Sequence, residues 1–463
     1  MWQIIIIIAY FAVLLGVGWW SRGKVRSRDG FFVANRKGSA LLVTGSLLAT
    51  VIGGSATVGG AGLGFNQGLT GSWWLLVGCI GLVVLGFFFA VKVRRIALYS
   101  LPELLESQYG GKVALASAFL IVIAWTGVVA GQIVAAGKVL SILGMGDAVS
   151  WMIIFAIVLI IYAVLGGQLS VVLTDGLQAL LLFIGISLTT VLVLSQVGGI
   201  AGLKASLPED YFSFPLSTQF NWKELISLMI LVGTTYVVGP DVYTRLFCSR
   251  DERTARNSTL LSASLFLPLA FAIVIIGMGA RVLYPWIPSE QAFPQVVKEA
   301  TSPLLGGLII TALLAALMSS ADTCILSQSI ILTEDIFKRC FPLLDDEKTI
   351  WLARVNIIVL GLIALGLALI LKGVITALLF AYTIFSCGLA VPVVAGFFRE
   401  RLKLTSQGAL AALIGGGMVG ILGKFPGIEL PLKEELGLIG VATSAVLLFS
   451  VSYFSRRVEK QLR

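Results

Sequence analysis

The stretch Thr311–Thr333, TALLAALMSSADTCILSQSIILT, is apolar enough for a bilayer and yet crowded with small hydroxyls. As a helix at about 100° per residue, it puts Ala316, Ser319, Ser320, Thr323 and Ser327 on one arc. Oxygens presented on one face suit a hard cation such as Na⁺. Asp322 lies at the edge of that arc, and an ionisable group inside an apolar span is costly unless it faces protein, water or an ion. Small residues at this spacing also let membrane helices pack closely, so the segment alone leaves ion binding and packing both open.

The elements that would hold such a stripe are set by composition. The chain has 463 residues, 58% hydrophobic and 12% charged, with a mean hydropathy of +0.99. That excludes a soluble globular protein and points to an all-α polytopic membrane protein. Apolar runs of about 18 residues or more recur throughout, as spanning helices require. Spans are expected at about 2–20, 40–66, 71–92, 113–143, 150–166, 169–197, 224–244, 258–283, 304–332, 350–372, 374–398, 407–424 and 436–455, thirteen in all. Met1–Trp20 lacks a basic start and a small-residue cleavage site, so it is read as the first span and not as a signal peptide.

An odd number of spans puts the termini on opposite sides, and basic loops choose which. One side would carry Arg22, Lys24, Arg26, Arg28, Arg36, Lys37, Lys92, Arg94, Arg95 and Lys112, then Arg245, Arg250, Arg253 and Arg256. The same side would carry Lys338, Arg339, Lys348, Arg354, Arg399, Arg401, Lys403, Arg456, Arg457, Lys460 and Arg463. These are 25 of the 33 Lys and Arg residues, which makes that side cytosolic, the N-terminus outside and the C-terminus inside. The net charge of +9 therefore reflects topology and implies no nucleic-acid partner.

The chain contains no histidine, which removes imidazole relays, His metal ligands and Ser-His triads. Its five cysteines, Cys79, Cys248, Cys324, Cys340 and Cys387, are scattered and form no disulfide or metal spacing. No phosphate loop or carboxylate pair suggests an enzyme.

Two predicted spans are poor continuous helices. GSLLATVIGGSATVGGAGLGFNQG carries Gly53-Gly54 and Gly59-Gly60 in its middle, and LMILVGTTYVVGPDVYTR carries Gly233 and Gly239-Pro240. They are five spans apart and run in opposite directions, as an inverted repeat of five plus five helices demands. Discontinuous helices in matching halves point to a midplane transport site. A glycine-lined packing face and a simple proline kink are the plainer alternatives.

Several segments, in this order, resemble the sodium/solute symporters, which include proline permease, pantothenate permease and the sodium/glucose cotransporters. They are DGFFVANRKG (29–38), LPELLESQYG (101–110), YAVLGGQLSVVLTDGLQ (162–178), GPDVYTRLFCSRDERTAR (239–256) and AALMSSADTCILSQSIILTEDIF (315–337). The resemblance implies a single transporter domain over 1–463 with a LeuT-type core. An extra helix at 1–20 precedes repeats at 40–197 and 224–398, and two helices at 407–455 follow. It also implies a sodium site of backbone carbonyls at Ala49 and Ile52, the Ala316 carbonyl and the Ser319 and Ser320 hydroxyls. An unwound turn frees such carbonyls for an ion. Asp175 matches a family acid at a second sodium site or on the ion's exit route, although Asp in a first helical turn is also ordinary. Thr174 and Gln178 are weaker candidates beside it.

By the same resemblance the solute pocket lies between the broken helices, capped by Tyr236, with Ser55, Ala56 and Thr57 at the first break. Trp125, Gln132, Thr234 and Thr235 are further candidates for its lining or for packing. The absence of acids and amides around the first break favours an amino acid or monocarboxylate over a sugar. Lys138 is expected to snorkel at the outer end of its span. Asp241 is expected near the cytosolic end, either paired with Arg245 or solvated.

The reading is Na⁺-coupled symport of a small organic solute by alternating access, in a multi-pass protein of a bacterial inner membrane whose surroundings are lipid. No obligatory protein partner is implied. A proton-coupled transporter using Asp175 or Asp322 is the alternative, and an ion channel or pore is the rival class. A sensor would need a signalling extension, which is not expected.

Overall fold

The computed structural model describes residues 2–22, 27–96, 98–144, 146–341, 344–371, 373–424 and 435–461. Lys24, Arg26 and Arg463, assigned above to cytosolic loops, lie outside these residues. The described residues are overwhelmingly helical and contain no strand beyond two isolated bridges. Eleven helices among them are long and apolar enough to cross a membrane.

The elements that matter for function are α1 (Trp2–Arg22), α2 (Ala40–Val51), α3 (Gly60–Gln67), α4 (Trp73–Val84), α5 (Gly111–Ser141) and α6 (Ala148–Val197). They continue with α7 (Trp222–Leu228), α8 (Thr234–Val238), α9 (Pro240–Cys248), α10 (Glu252–Leu283), α11 (Pro303–Ile330), α12 (Asp346–Leu371), α13 (Val374–Phe385), α14 (Ser406–Lys424) and α15 (Leu436–Gln461).

α11 carries the polar stripe and sits at the centre. Every residue from 309 to 330 is buried, so this helix has no lipid-facing side. A helix enclosed all round must be surrounded by other helices, and α1, α5, α6, α2 and α12 pack against it. α1 is peripheral, with Trp2, Ile5, Ile8, Trp19 and Trp20 exposed where lipid would lie. Its two tryptophans next to Arg22 suit a membrane interface.

Three breaks shape the bundle. After α2, the chain leaves helical geometry at Ile52 (φ −91°, ψ 65°) and resumes through a wide turn at Ser55–Gly59 into α3. Between α8 and α9, Gly239 is extended (φ −63°, ψ 134°) and Pro240 opens α9, where its missing N–H is no loss. Within the fifty-residue α6, Gly167 has φ +56°, a conformation favoured in glycine, and a Cβ there would lie 2.6 Å from the Phe31 ring. The two broken helices run antiparallel: the Gly38 N–H donates to the Cys248 carbonyl at 2.9 Å, and the Arg250 N–H donates to the Gly38 carbonyl at 3.0 Å. The start of the first and the end of the second therefore share one side of the bundle.

Two loop-level expectations change. Arg245 is no loop residue: its side chain is wholly buried on α9, so it leaves the count of cytosolic charges. Lys138 does not simply snorkel, because its ammonium pairs with Glu290, whose other oxygen accepts from the Val374 N–H at 3.1 Å.

Close packing on α3 rests on glycine. A Cβ on Gly277 of α10 would lie 2.0 Å from the Ala61 carbonyl oxygen, and one on Gly64 would lie 2.4 Å from that of Val274. Such small-residue faces let membrane helices approach at backbone distance. Gly277→Ala is expected to destabilise the protein by about 1–3 kcal/mol, because a backbone oxygen cannot move aside as a side chain can. Thermal unfolding in detergent checks this, and an unchanged melting temperature would contradict the packing described.

Candidate ion and solute site

Asp175 lies on α6, eight residues beyond the Gly167 break, with no exposed surface. The Ser46 hydroxyl of α2 donates to one carboxylate oxygen, and the Ser319 hydroxyl of α11 donates to the other at 2.5 Å. The Arg245 guanidinium completes the group, with its Nη2 2.9 Å from the Asp175 carboxylate. The same nitrogen donates to Thr323 Oγ1, and Arg245 Nε donates to Thr50 Oγ1 at 3.4 Å. Four helices, α2, α6, α9 and α11, thus meet in one buried charged cluster.

Beside it the first break and the α11 stripe converge. The Ser320 hydroxyl donates to the Thr50 carbonyl at 2.7 Å and reaches the Ala49 carbonyl at 3.5 Å. Approach this close requires Gly53, where a Cβ would lie 2.4 Å from Ser320 Oγ. Gln132 of α5 holds the break from the other side, its Oε1 accepting from the Gly54 N–H at 2.6 Å. Thr57 closes the turn by donating to the Gly53 carbonyl at 3.0 Å. Unwound backbone at membrane depth is tolerable only with such partners.

Other predicted residues distribute unevenly. Ala316 is buried on α11, and Ser55 and Ala56 are buried at the turn after the break. Thr234 donates to the Ile230 carbonyl at 2.6 Å and lies 3.0 Å from the Ser386 hydroxyl, while Thr235 donates to the Val232 carbonyl at 2.6 Å. The two bonds to carbonyls are local, and only the Thr234–Ser386 contact reaches another helical segment. Thr174 bonds the Tyr162 hydroxyl at 2.7 Å, and Gln178 donates to the Tyr10 hydroxyl at 2.9 Å, both turned away from Asp175 toward α1 or the first half of α6. Asp322 is fully buried, with Oδ1 3.3 Å from Thr323 Oγ1 and Oδ2 without a hydrogen bond.

Ser46, Thr50 and Arg245 were not among the expected site residues. Ser46 and Thr50 stand four apart on α2, and so share a face with each other and a flank of the break. That spacing was a usable signal. For Arg245 the signal was an arginine only five residues beyond Pro240, flanked by Val242, Tyr243, Leu246 and Phe247, too early in α9 to have reached water.

A helical membrane bundle with two antiparallel interrupted helices against a fully enclosed polar one is the architecture of a secondary transporter. Residues 31–416 match the sodium:solute symporter family, and the chain belongs to it. It is a multi-pass membrane transporter and not an enzyme. It is 24% identical to a sodium/glucose cotransporter of Vibrio parahaemolyticus, over 97% of this chain and 90% of the relative. It is 24% identical to the high-affinity proline transporter PutP of Bacillus subtilis, over 96% of each. Its structure is similar to a substrate-bound, outward-open Na⁺-coupled sialic acid symporter, with a TM-score of 0.82, 20% identity and 98% of both chains covered. A nucleobase-cation-symport-1 family transporter matches with a TM-score of 0.64, 15% identity, 92% of this chain and 95% of the other. Amino-acid-bound MhsT also shares the LeuT-type fold, with a TM-score of 0.56, 16% identity and coverage of 89% and 99%.

Removing one member of the buried pair strands the other. Arg245→Met is expected to cost about 3–5 kcal/mol, whereas Arg245→Met combined with Asp175→Asn should recover most of that loss. A thermal-unfolding double-mutant cycle measures it, and additive losses would show that the two groups do not share the penalty.

Proposed function

We propose that the protein couples Na⁺ to the uptake of a small organic solute, with an amino acid or monocarboxylate favoured over a sugar, by alternating access. The observation that carries this reading is the meeting of the first helix break with the hydroxyl face of α11. The Ala49 carbonyl and the Ser320 hydroxyl face the same space, with the Ile52 carbonyl on the unwound turn and Ser319 one residue from Ser320. Carbonyl and hydroxyl oxygens without a thiolate or imidazole are a donor set for a hard cation. Na⁺ would be held there by Ala49, Ile52, Ala316, Ser319 and Ser320.

Asp175 supplies the negative charge nearest that set. Its carboxylate is already bonded to Ser319 and paired with Arg245, so it serves as a second ion contact or exit point only when those bonds rearrange. The solute would lie between the breaks, near Tyr236 and the turn at Ser55, Ala56 and Thr57. The outer side offers an approach: a cavity of about 280 Å³ is lined by Leu63, Trp74, Phe220, Leu231 and Ile375, among others. This placement supports an outward-facing route to the midplane. The thirteen-span count, the outside N-terminus and the inner-membrane location belong to the same proposal. The count divides the long runs at Gly167 and at residues 68–72 and joins α2 to α3 across the first break.

Ions that bind only the folded state raise its stability by RT ln(1 + [L]/Kd). About 100 mM Na⁺, but not K⁺, is expected to raise the melting temperature of the purified protein, and Ser320→Ala should weaken the apparent Na⁺ affinity by about tenfold or more. Uptake in vesicles at fixed pH should cease when K⁺ replaces Na⁺. A Na⁺ response identical in Ser320→Ala, or uptake driven by a proton gradient alone, would overturn the sodium reading.

A further inference from the structure

Asp241 stands at the second break, not at the cytosolic surface. α9 has nine residues from Pro240 to Cys248 and therefore rises about 13 Å, roughly half of the hydrocarbon thickness. Its far end meets Gly38 on the inner side, so Asp241 at its start lies near mid-membrane.

The groups around it come from five other helices and from α9 itself. The Trp125 indole N–H of α5 lies beside the carboxylate. Trp125 is 1% exposed, yet its Nε1 completes no hydrogen bond. Tyr236 of α8 and Tyr382 of α13 also neighbour Asp241, their hydroxyls turned toward one another. Trp74 closes the outer side, its ring centroid 6.4 Å from that of Tyr382. Cys324 of α11 and Arg245, one turn along α9, complete the surroundings. Arg245 is committed to Asp175, Thr323 and Thr50 and forms no ion pair with Asp241. Asp241 leans on the α9 backbone at Val242, as an acid in a first helical turn does. A carboxylate has about four lone-pair sites, so that contact leaves capacity unused.

Asp241 is also not sealed: it keeps partial exposure while its aromatic neighbours Trp125, Tyr236 and Tyr382 are each below 10%. A partly exposed acidic residue at membrane depth, surrounded by aromatic side chains and lacking an ion pair, suits one chemical class. Organic cations are held by aromatic faces, and a carboxylate adds direct charge compensation. A carboxylate-only solute would meet repulsion at the same place.

Resting on the symport reading above, we propose that Asp241, with Trp125, Tyr236 and Tyr382, binds the ammonium group of the transported solute, so that the cargo is an amine-bearing compound. The favoured pair of amino acid and monocarboxylate thereby narrows to the amine-bearing member.

The test is thermal stabilisation of the full-length protein, with and without about 100 mM Na⁺, by L-alanine, L-proline, choline, L-lactate, pyruvate and D-glucose. At least one of the three amines is expected to stabilise the wild type, and lactate, pyruvate and glucose are not. Asp241→Asn should weaken the amine response by about tenfold or more while leaving stabilisation by Na⁺ alone intact, and Asp241→Glu should retain amine binding. Stabilisation by lactate, pyruvate or glucose, no response to any amine, or amine affinity unchanged in Asp241→Asn would each overturn the proposal. Should Asp241→Asn not fold, the wild-type panel still decides between the classes. Amine binding that needs Asp241 but ignores Na⁺ would sink the coupling reading and leave this assignment standing.

Discussion

The interior of this bundle is organised by one constraint: a guanidinium and a carboxylate placed where water is scarce must satisfy each other and all their remaining donors and acceptors. Each ion carries a desolvation penalty of several kcal/mol, which only good geometry and additional hydrogen bonds offset. Asp175 and Arg245 meet that condition for the most part through hydroxyls from four other positions, Ser46, Ser319, Thr323 and Thr50, with only Arg245 Nη1 lacking a hydrogen bond. The pair therefore dictates which helices must be neighbours. α2, α6, α9 and α11 cannot drift apart without stranding a charge. Such a cluster is weak evidence for stability in itself, but it specifies one arrangement of four helices that generic apolar packing would not distinguish.

The helix breaks obey the same accounting with backbone groups in place of charges. An unwound turn in hydrocarbon would leave N–H and C=O groups unpaired, so the first break is met by polar side chains from α5, from α11 and from its own turn. Gln132 takes the Gly54 N–H, Thr57 takes the Gly53 carbonyl, and Ser320 takes the Thr50 carbonyl. Beside these bonds, the buried Ala49 carbonyl, which takes only a long contact from Ser320, and the Ile52 turn are what a cation could use. Under the sodium proposal, structural satisfaction and ion binding would draw on one set of oxygens; glycine stands at Gly53 because only without a Cβ can Ser320 reach the backbone.

Much of this was legible in the sequence. The stripe on α11, the two glycine-rich breaks and their opposed directions were visible because periodicity and propensity are local properties. The pairing of Ser319 and Ser320 with the first break came from resemblance, and the structure brings Ser320 there while turning Ser319 to Asp175. What could not be read was depth. Arg245 and Asp241 sit close behind a proline, and a positive-inside tally counts every arginine near a span end as cytosolic. The error lay in ending the span at residue 244 and placing its break near the cytosolic end, when α9 runs on from Pro240 to Cys248. Asp175 posed the converse difficulty: an acid in the first turns after a glycine break looks like an ordinary helix start, and only its three partners from other helices show otherwise.

α9 joins the two chemistries mechanically. Arg245, one turn further along the same face of this short helix, engages α2, α6 and α11, while Asp241 at its start lies among α5, α8 and α13. With sodium between α2 and α11 and a cationic group at Asp241, each ligand would act on the position of the same nine-residue segment. Under that proposal, an ion that loosens or tightens the Asp175–Arg245 pair would alter where α9 rests, and hence the distance from Asp241 to Trp125 and Tyr382. By linkage, a solute that favours one placement of α9 must raise or lower ion affinity by the same factor. Coupling on this view needs no long relay: it requires one rigid half-helix, pinned by a buried charge at one end and freed by a glycine-proline break at the other.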